Sequence, residues 1–172
     1  MPQLEAVSAC AAADFPAMLQ VINDAAQAYR GVIPDDCWHE PYMPGAELER
    51  EIAAGIRFAG YREDGRLIAV MGSQRVKDVT LIRHAYVASA ARRRGIGSAL
   101  LAHLRAASTR PILIGTWAAA GWAVRFYEKH GFRCVSGAEK TVLLRRYWTV
   151  SERQIDTSVV LADSGWFNRD QG

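Results

Sequence analysis

The chain has 172 residues, of which 50% are hydrophobic and 23% are charged, and its formal net charge is +3. This length and balance are typical of one globular domain that buries its core without disulfides or a structural metal. The cysteines Cys10, Cys37 and Cys134 are scattered and form no CxxC pair, so neither a zinc site nor a disulfide framework is indicated. The weak charge and the lack of a signal-peptide pattern or a long apolar run predict a cytoplasmic protein without metal, nucleic acid or membrane as a partner.

The amino-terminal part predicts a strand, a long helix and an ordered loop. Leu4–Val7 is a short strand candidate. Asp14 can cap the helix that follows, because Pro16 fits its first turn and apolar residues recur after it at helical spacing. Gly31 ends this helix, and the proline- and aromatic-rich segment 31–44 predicts an ordered loop.

Beyond the loop, the pattern changes to antiparallel hairpins and then to strand–helix–strand units. The Asp64-Gly65 dipeptide is a favoured turn between two strand candidates. The mostly apolar run 111–116 is typical of a strand covered on both faces, and Gly131 supplies a helix stop. This order predicts a mixed α/β fold. The predicted strands are 56–62, 66–74, 78–87, 111–116, 132–135 and 158–161, and the predicted helices are 46–54, 95–107, one around 122–127 and 139–148.

A glycine-rich turn joins the third of these strands to the next helix. The segment 87–98 (VASAARRRGIGS) places Gly95 and Gly97 where the helix begins. A helix N-terminus leaves backbone N–H groups unpaired and carries the positive end of the helix dipole, so it can hold a phosphate, and the three adjacent arginines add charge. A P-loop is excluded because no Lys-Ser/Thr follows, and the Rossmann pattern lacks its third glycine. Taken alone, the glycines would also suit a tight structural turn.

Two motifs in order resemble the signatures of the GNAT superfamily of N-acetyltransferases. Arg92-x-x-Gly95-x-Gly97 after a strand resembles the acyl-CoA signature of that superfamily. The segment 123–132 (AVRFYEKHGF) resembles its second signature, a helix that carries Phe-Tyr and closes with Gly-Phe. The spacing between them also matches the family, and the resemblance covers 56–135 best.

This resemblance implies a GNAT-like α/β fold of the α+β type. In such a fold, a central mixed, mostly antiparallel twisted sheet of about six or seven strands is flanked by helices, and its strands splay at the cofactor site. Residues 1–172 would then form a single N-acetyltransferase domain. Its cofactor-binding core would span 55–135, and the segment 136–172 would complete the acceptor side.

The resemblance also implies acetyl-CoA as the acyl donor and assigns residues to it. The pyrophosphate would rest on the backbone N–H groups of the glycine turn, and pantetheine would pair with the end of the preceding strand like an added strand. Tyr127 matches the family tyrosine that protonates the leaving sulfur, and a core or cofactor-packing role is the alternative. The expected cofactor-binding residues are Tyr86, Val87, Arg92, Arg93, Arg94, Gly95, Ile96, Gly97, Ser98 and Phe126.

The general base is left open. Many family members place Glu or His on the strand before the glycine turn, but the register here puts Leu81 and Arg83 at the cavity-facing positions. Period-2 alternation turns His84 to the other face unless a bulge reverses it, so His84 is either a base candidate or a histidine packed under a helix. In the family, the loop after the first helix lines the acceptor site, and Glu40 is the base candidate there. Asp35, Asp36 and His39 are further candidates in that loop, and its carboxylates could bind a cationic amine, relay its proton through water or simply be solvated.

Three side chains are expected to contact the acceptor. Gln74 and Arg83 could fix a polar acceptor, and Arg83 would favour one that bears a carboxylate. Trp117 either shapes the acceptor pocket or packs in the core. Tyr147 and Trp148 are candidates for the acceptor rim or for a dimer contact, and a homodimer is left open.

The resulting prediction is an enzyme that transfers an acetyl group from acetyl-CoA to a primary amine of a small molecule or a peptide. Direct attack by the neutral amine would pass through a tetrahedral intermediate. The alternative is a catalytically silent acyl-CoA-binding or sensing domain, which the absence of an evident general base favours. Nucleic-acid binding is disfavoured because the arginines cluster at one turn without an aromatic platform.

Overall fold

The computed structural model describes residues 6–171. They fall into two compact units, which we call the amino-terminal unit (residues 6–74 and 83–107) and the carboxyl-terminal unit (residues 75–82 and 108–171). The strands are β1 Val7–Ala9, β2 Arg57–Glu63, β3 Arg66–Val76, β4 Val79–Val87, β5 Ile112–Trp117, β6 Arg133–Cys134 and β7 Ser158–Ala162. The helices are α1 Phe15–Ala26, α2 Gly45–Ala53, α3 Ile96–Ala107, α4 Gly121–Lys129, α5 Gly137–Tyr147, α6 Glu152–Thr157 and α7 Ser164–Phe167.

The strands of the described chain form one mixed sheet in the order β1-β2-β3-β4-β5-β7-β6. Antiparallel pairing joins β1 to β2, β2 to β3, β5 to β7 and β6 to β7, whereas β4 and β5 run parallel. Short turns connect the antiparallel hairpins, and the parallel pair requires the crossover through α3. The predicted mixed, mostly antiparallel sheet of six or seven strands is confirmed.

The amino-terminal unit buries one face of α1 and α2 against β2 and β3. The helical spacing of apolar residues in α1 brings Met18, Val21 and Ile22 into this core, where they meet Phe58 and Val70. Packing of this kind supplies most of the stability of such amphipathic helices. α3 contacts β1 and β2 within the same unit.

Asp14 stands at the predicted N-cap position of α1 but does not cap the helix. Its carboxylate accepts hydrogen bonds from the Arg62 guanidinium at 2.7 Å and from the Ala11 N–H at 2.7 Å. The Arg62 hydrogen bond is the main cause of the lowered pKa of Asp14. Asp14 therefore links the start of α1 to β2 through a charge-assisted hydrogen bond instead of capping the helix.

The carboxyl-terminal unit has its own core around β5 and α5. Leu81 and Leu113 are fully buried there with Leu144 and Tyr147. The phenol of Tyr147 donates a hydrogen bond to the Asp78 carboxylate at 2.6 Å. Tyr147 is thus a core residue, and its expected place on an acceptor rim or dimer contact is wrong.

Several element predictions need adjustment. α1 ends at Ala26 and a 3-10 turn precedes Gly31. α6 and α7 were not predicted, because each is too short for its periodicity to be recognised. Of the predicted strand Leu4–Val7, residues 4 and 5 lie outside the described residues, and the observed strand β1 begins at Val7. None of the helices in residues 6–171 has the length and apolar character that a membrane span requires.

Candidate functional site

The loop between β4 and α3 is held by two hydrogen bonds to α1 and one to β3. The Ser89 N–H donates to the Asp24 carboxylate at 2.7 Å, and the Arg92 guanidinium donates to the Ala25 carbonyl at 3.1 Å. Directly after β4, the Ala88 N–H donates to the Ile68 carbonyl at 2.9 Å. These contacts fix where the chain leaves the strand and where the glycine turn begins.

The turn itself contains two residues with left-handed backbone conformation. Arg93 has φ 63° and Gly95 has φ 76°, after which α3 begins at Ile96. The Ile96 side chain is buried and fixes the start of the helix, and the Ala99 N–H donates to the Gly95 carbonyl at 3.1 Å. The N–H groups of the first turn precede any intrahelical acceptor, so an anion can lie against them.

This turn suits a phosphate group sterically and electrostatically. Gly95 is exposed, and a Cβ built on it would meet no atom within 4 Å. Arg93 is exposed, whereas Arg92 is bound to α1 and Arg94 forms an ion pair with Glu63. The three arginines are therefore not equivalent: the Arg94 charge is already partly balanced by a carboxylate.

The expected cofactor residues Tyr86 and Val87 form the end of β4, and Gly97 and Ser98 lie in the first turn of α3. The Tyr86 ring packs edge-on to Tyr29 at 6.3 Å between centroids. Burial, with a smaller contribution from Tyr42, raises the pKa of Tyr29. The end of β4 thus packs against an aromatic cluster.

The loop after α1 continues this aromatic cluster. Trp38 stacks on Tyr42 with 5.6 Å between the ring centroids. The Glu40 carboxylate is exposed and accepts a hydrogen bond from the Gln27 amide at 3.2 Å. His39 is also exposed, with Nδ1 2.8 Å from the Pro41 carbonyl oxygen. Asp35 and Asp36 form a 3-10 turn with Cys37.

A different polar cluster lies on the last part of β4. His84 has φ 55° in the middle of the strand. Arg83 Nη2 is 3.3 Å and His84 Nε2 is 3.4 Å from the same oxygen, Oε1 of Glu51 on α2. Neighbouring strand residues ordinarily point to opposite faces, so the left-handed residue interrupts the alternation. Plain alternation would have turned His84 away from Arg83, but the irregularity that the sequence left open is present at His84 and both side chains reach Glu51.

This cluster, which we call the Glu51 network, extends to β3. The side-chain oxygen of Gln74 accepts a hydrogen bond from the Arg83 guanidinium at 3.2 Å. The side-chain amide of Gln74 donates a hydrogen bond to the backbone carbonyl of Ala54 at 3.0 Å. The adjacent His84 imidazole lowers the pKa of Glu51, and Arg83 lowers it further against the opposing effect of burial. His84 Nε2 is shielded from solvent and has no aligned hydrogen-bond partner within residues 6–171.

Glu51 was missed by sequence reasoning. It follows buried Leu48 by one helical turn, so the spacing alone places it on the inward face of α2. Gly72 on β3 is the second missed residue: a Cβ there would lie 2.8 Å from the Arg83 carbonyl oxygen. Only glycine lets the bent part of β4 approach this closely. Leu81, the other expected cavity-facing residue, is part of the carboxyl-terminal core.

In the carboxyl-terminal unit, the segment with the second motif forms α4 and its stop. Tyr127 is buried, with 5% of its surface exposed, and its ring lies edge-on to Phe126 at 5.1 Å and to Phe132 at 5.9 Å. Gly131 ends the helix with φ 88°, and the Phe132 N–H donates back to the Tyr127 carbonyl at 3.1 Å. Trp117, the last residue of β5, pairs with Ser158 on β7.

The part of the chain that the structure describes contains no group of three or more His, Cys, Asp or Glu side chains that could hold a metal ion. The polar groups of the candidate site are a helix N-terminus with arginines and a carboxylate–imidazole contact. This set can bind an anion and move a proton.

Residues 54–134 match the family model of the acetyltransferase (GNAT) domain. This matched segment, just under half of the chain, is similar to the GNAT acetyltransferase domain. The matched segment runs from the end of α2 to β6, so it contains both motifs on which the resemblance was based. No significant match is found with curated protein sequences.

Solved structures show the same GNAT fold. The PaiA N-acetyltransferase of Thermoplasma acidophilum, in complex with coenzyme A, is 15% identical with a TM-score of 0.69, over 91% of this chain and 96% of that chain. The ribosomal-protein-S18-alanine N-acetyltransferase of Escherichia coli is 18% identical with a TM-score of 0.64, over 91% of both chains. N-acetylglutamate synthase of Neisseria gonorrhoeae, complexed with coenzyme A and N-acetylglutamate, is 20% identical with a TM-score of 0.58, over 91% of this chain and 34% of that one. The predicted GNAT-like fold is confirmed.

Proposed function

We propose that this GNAT domain transfers an acetyl group from acetyl-CoA to a primary amine of a small molecule or a peptide. The observation that carries the proposal is the left-handed turn at Arg93 and Gly95 before α3, inside a segment that matches the family model. Such a turn presents backbone N–H groups to an anion, and the pyrophosphate of CoA is the anion that the family context suggests.

The expected contacts with CoA are distributed along this turn. Backbone N–H groups of 93–98 would bind the pyrophosphate, and the exposed guanidinium of Arg93 would add a charge-assisted contact. The main-chain groups of Tyr86 and Val87 would pair with pantetheine, and the Phe126 ring would pack against the cofactor. We further propose that residues 1–172 act as one acetyltransferase domain.

The reaction requires a neutral amine and a proton for the leaving thiolate. The amine nitrogen bonds to the acetyl carbon to give a tetrahedral intermediate, and the bond from that carbon to sulfur breaks as the intermediate collapses. We assign the proton donation to the Tyr127 phenol, because its motif position matches the family tyrosine and its burial excludes bulk water from it. The net products are an acetylated amine and free CoA thiol.

Between the two base candidates, the contacts favour His84 over Glu40. The Glu40 carboxylate is exposed and bonded to Gln27, so water screens it. His84 has only 14% of its side chain exposed and lies beside the Glu51 carboxylate. We therefore assign removal of the amine proton to His84.

For the acceptor, we propose the general class of primary amines. Two solved relatives act on unlike acceptors by their names, a ribosomal-protein alanine and glutamate. In this chain, Arg83 and Gln74 are bonded to each other, and Arg83 is also bonded to Glu51. We propose that Arg83 and Gln74 shape the wall of the acceptor site, because their polar groups are engaged with each other and with Glu51. Trp117 is then the remaining candidate for direct contact with the acceptor.

Thiol release measures the activity directly. The protein is incubated with acetyl-CoA and a panel of small amines and peptide N-termini, and free CoA is followed with a thiol reagent. Tyr127→Phe is expected to lower kcat about 100-fold or more while the Kd for CoA stays within about twofold, because only the proton donor is removed. Tight CoA binding without acetylation of any amine would favour the silent acyl-CoA-binding alternative, and unchanged turnover in Tyr127→Phe would remove the role assigned to Tyr127.

A further inference from the structure

We propose that Glu51 is a positioning residue that holds the His84 imidazole with Nε2 towards its carboxylate, so that Nδ1 takes the proton of the acceptor amine. The inference rests on the proposed function and adds to it a residue that belongs to neither sequence motif. Glu51 lies on α2, 33 positions before His84, and the bend in β4 brings the two together at 3.4 Å.

The bend at His84 is the first ground for this assignment. A histidine at φ 55° carries a backbone penalty of about 1–2 kcal/mol relative to a right-handed conformation. An extended residue would avoid that penalty but would turn the ring away from Glu51. Strained residues of this kind are found mainly where surrounding contacts enforce them, and at sites of chemistry.

The two ring nitrogens of His84 are in different surroundings. Nε2 is shielded from solvent and faces Glu51, and the ring stacks on Phe58 at 6.2 Å between centroids. The one buried side-chain nitrogen or oxygen without a hydrogen bond in residues 6–171 is this Nε2, so Nδ1 is not a buried orphan. Nε2 is 3.4 Å from the carboxylate oxygen, and when Nε2 carries the ring proton the Nδ1 lone pair is the acceptor.

The rest of the network keeps the carboxylate in place and charged. Arg83 binds the same oxygen of Glu51, and Gln74 holds Arg83 from β3. With a neutral imidazole, the charges of Glu51 and Arg83 cancel. When Nδ1 takes the amine proton, the new imidazolium lies beside a carboxylate that stabilises it.

The groups that face His84 come from four elements. α2 contributes Glu51, and Arg50 acts on the Glu51 carboxylate. β4 contributes Arg83, β3 contributes the uncharged Gln74, and β2 contributes the apolar ring of Phe58. Glu51 is the one acidic group among them, so its removal is expected to change the surroundings of the ring most.

The test compares Glu51→Gln with Glu51→Asp and uses Glu49→Gln as the matched control. Glu49 is an exposed glutamate on the same helix, so its variant removes the same charge without touching the network. Glu51→Gln is expected to lower kcat about 10- to 100-fold, while the amine KM and the Kd for CoA change less than about threefold. Glu51→Asp is expected to restore part of kcat, and Glu49→Gln to behave as the wild type.

A further readout separates positioning from a structural role. In the free protein, the imidazole NMR signal of His84, assigned by its loss in His84→Gln, is expected to shift in Glu51→Gln and to stay in place in Glu49→Gln. The NMR comparison needs no acetyl-CoA and no acceptor.

The outcomes distinguish this inference from the proposed function. If the wild type acetylates amines but Glu51→Gln keeps the wild-type kcat, the role of Glu51 is refuted and the acetyltransferase proposal stands. If the wild type acetylates none of the amines, the proposed function fails. An unmoved His84 signal in folded Glu51→Gln, with folding checked by circular dichroism, would refute the positioning contact itself.

Discussion

Replacement of Gly95 by alanine tests the glycine turn as the anion site. Gly95 has φ 76°, and a Cβ on it would meet no protein atom within 4 Å. The variant therefore introduces backbone strain without a steric clash inside the protein. A bound pyrophosphate, however, would approach the surface that the new methyl group occupies.

The magnitude follows from these two facts. An alanine in the left-handed region costs about 1–2 kcal/mol. The loss of glycine's freedom in the unfolded chain offsets about 0.4–1 kcal/mol of this cost, so we expect a net loss of about 1 kcal/mol in the free energy of unfolding. A backbone N–H bond to a charged group contributes about 1.5–3 kcal/mol, so loss of one such contact would weaken CoA binding about 10- to 100-fold.

Gly65 provides a matched control within the same unit. It has the same φ of 76° in the turn between β2 and β3, and a Cβ on it would also meet nothing within 4 Å. Gly65→Ala is thus expected to lose the same folding free energy as Gly95→Ala but to bind CoA like the wild type. Urea unfolding measures the stability of both variants, and isothermal titration calorimetry measures the Kd for CoA.

The pair of variants can refute the site assignment. If both lose about the same stability and Gly95→Ala still binds CoA with wild-type affinity, the turn does not hold the pyrophosphate. If Gly65→Ala loses as much CoA affinity as Gly95→Ala, the loss reflects global destabilisation and the turn has no special role.

Two further predictions concern stability and its pH dependence. Asp14→Asn is expected to lower the free energy of unfolding by about 1–2 kcal/mol at neutral pH, because its ion pair with Arg62 is largely shielded. Since the Arg62 hydrogen bond lowers the pKa of Asp14, this contribution is present above about pH 4 and is lost as the pH falls through the pKa of the folded protein. Urea titrations at pH 7 and about pH 3 should show that the stability difference between variant and wild type shrinks at the lower pH. A difference that does not depend on pH would contradict the assignment. Tyr147→Phe is expected to cost about 1 kcal/mol, because the phenol donates to a half-exposed Asp78 that water can solvate instead. Burial, and to a lesser extent Asp78, raises the pKa of Tyr147, so this contribution is present below about pH 10 and is lost as the pH rises through the pKa of the folded protein. Equal urea midpoints for Tyr147→Phe and the wild type at pH 7 would show that the hydrogen bond to Asp78 adds no stability.

The sequence predicted the elements that depend on local signals. α3 begins within one residue of its expected start, because a glycine turn and the apolar periodicity after it are properties of a short segment. The hairpin turn at Asp64-Gly65 was predicted for the same reason, and both residues have positive φ. The Phe-Tyr helix and its Gly131 stop also follow from local spacing.

The roles of polar side chains were predicted less well. Asp14 has the position of a cap but bonds to Arg62, and Tyr147 is buried on Asp78 although its place in the sequence suggested a surface contact. Each of these partners lies far away along the chain. Periodicity shows which residues face inward, but it does not show which remote group a polar atom meets there.

The sequence by itself thus predicted a helix N-terminus that could hold an anion, two motifs in order, and a GNAT-like fold, and residues 54–134 match the model of that domain. Only the tertiary structure decided which residues surround His84. The left-handed residue in β4 breaks the strand's alternation, and Gly72 lets that part of the strand approach β3. Glu51 then meets His84 from α2 because packing, rather than any local pattern, sets the distance between a helix and a bent strand.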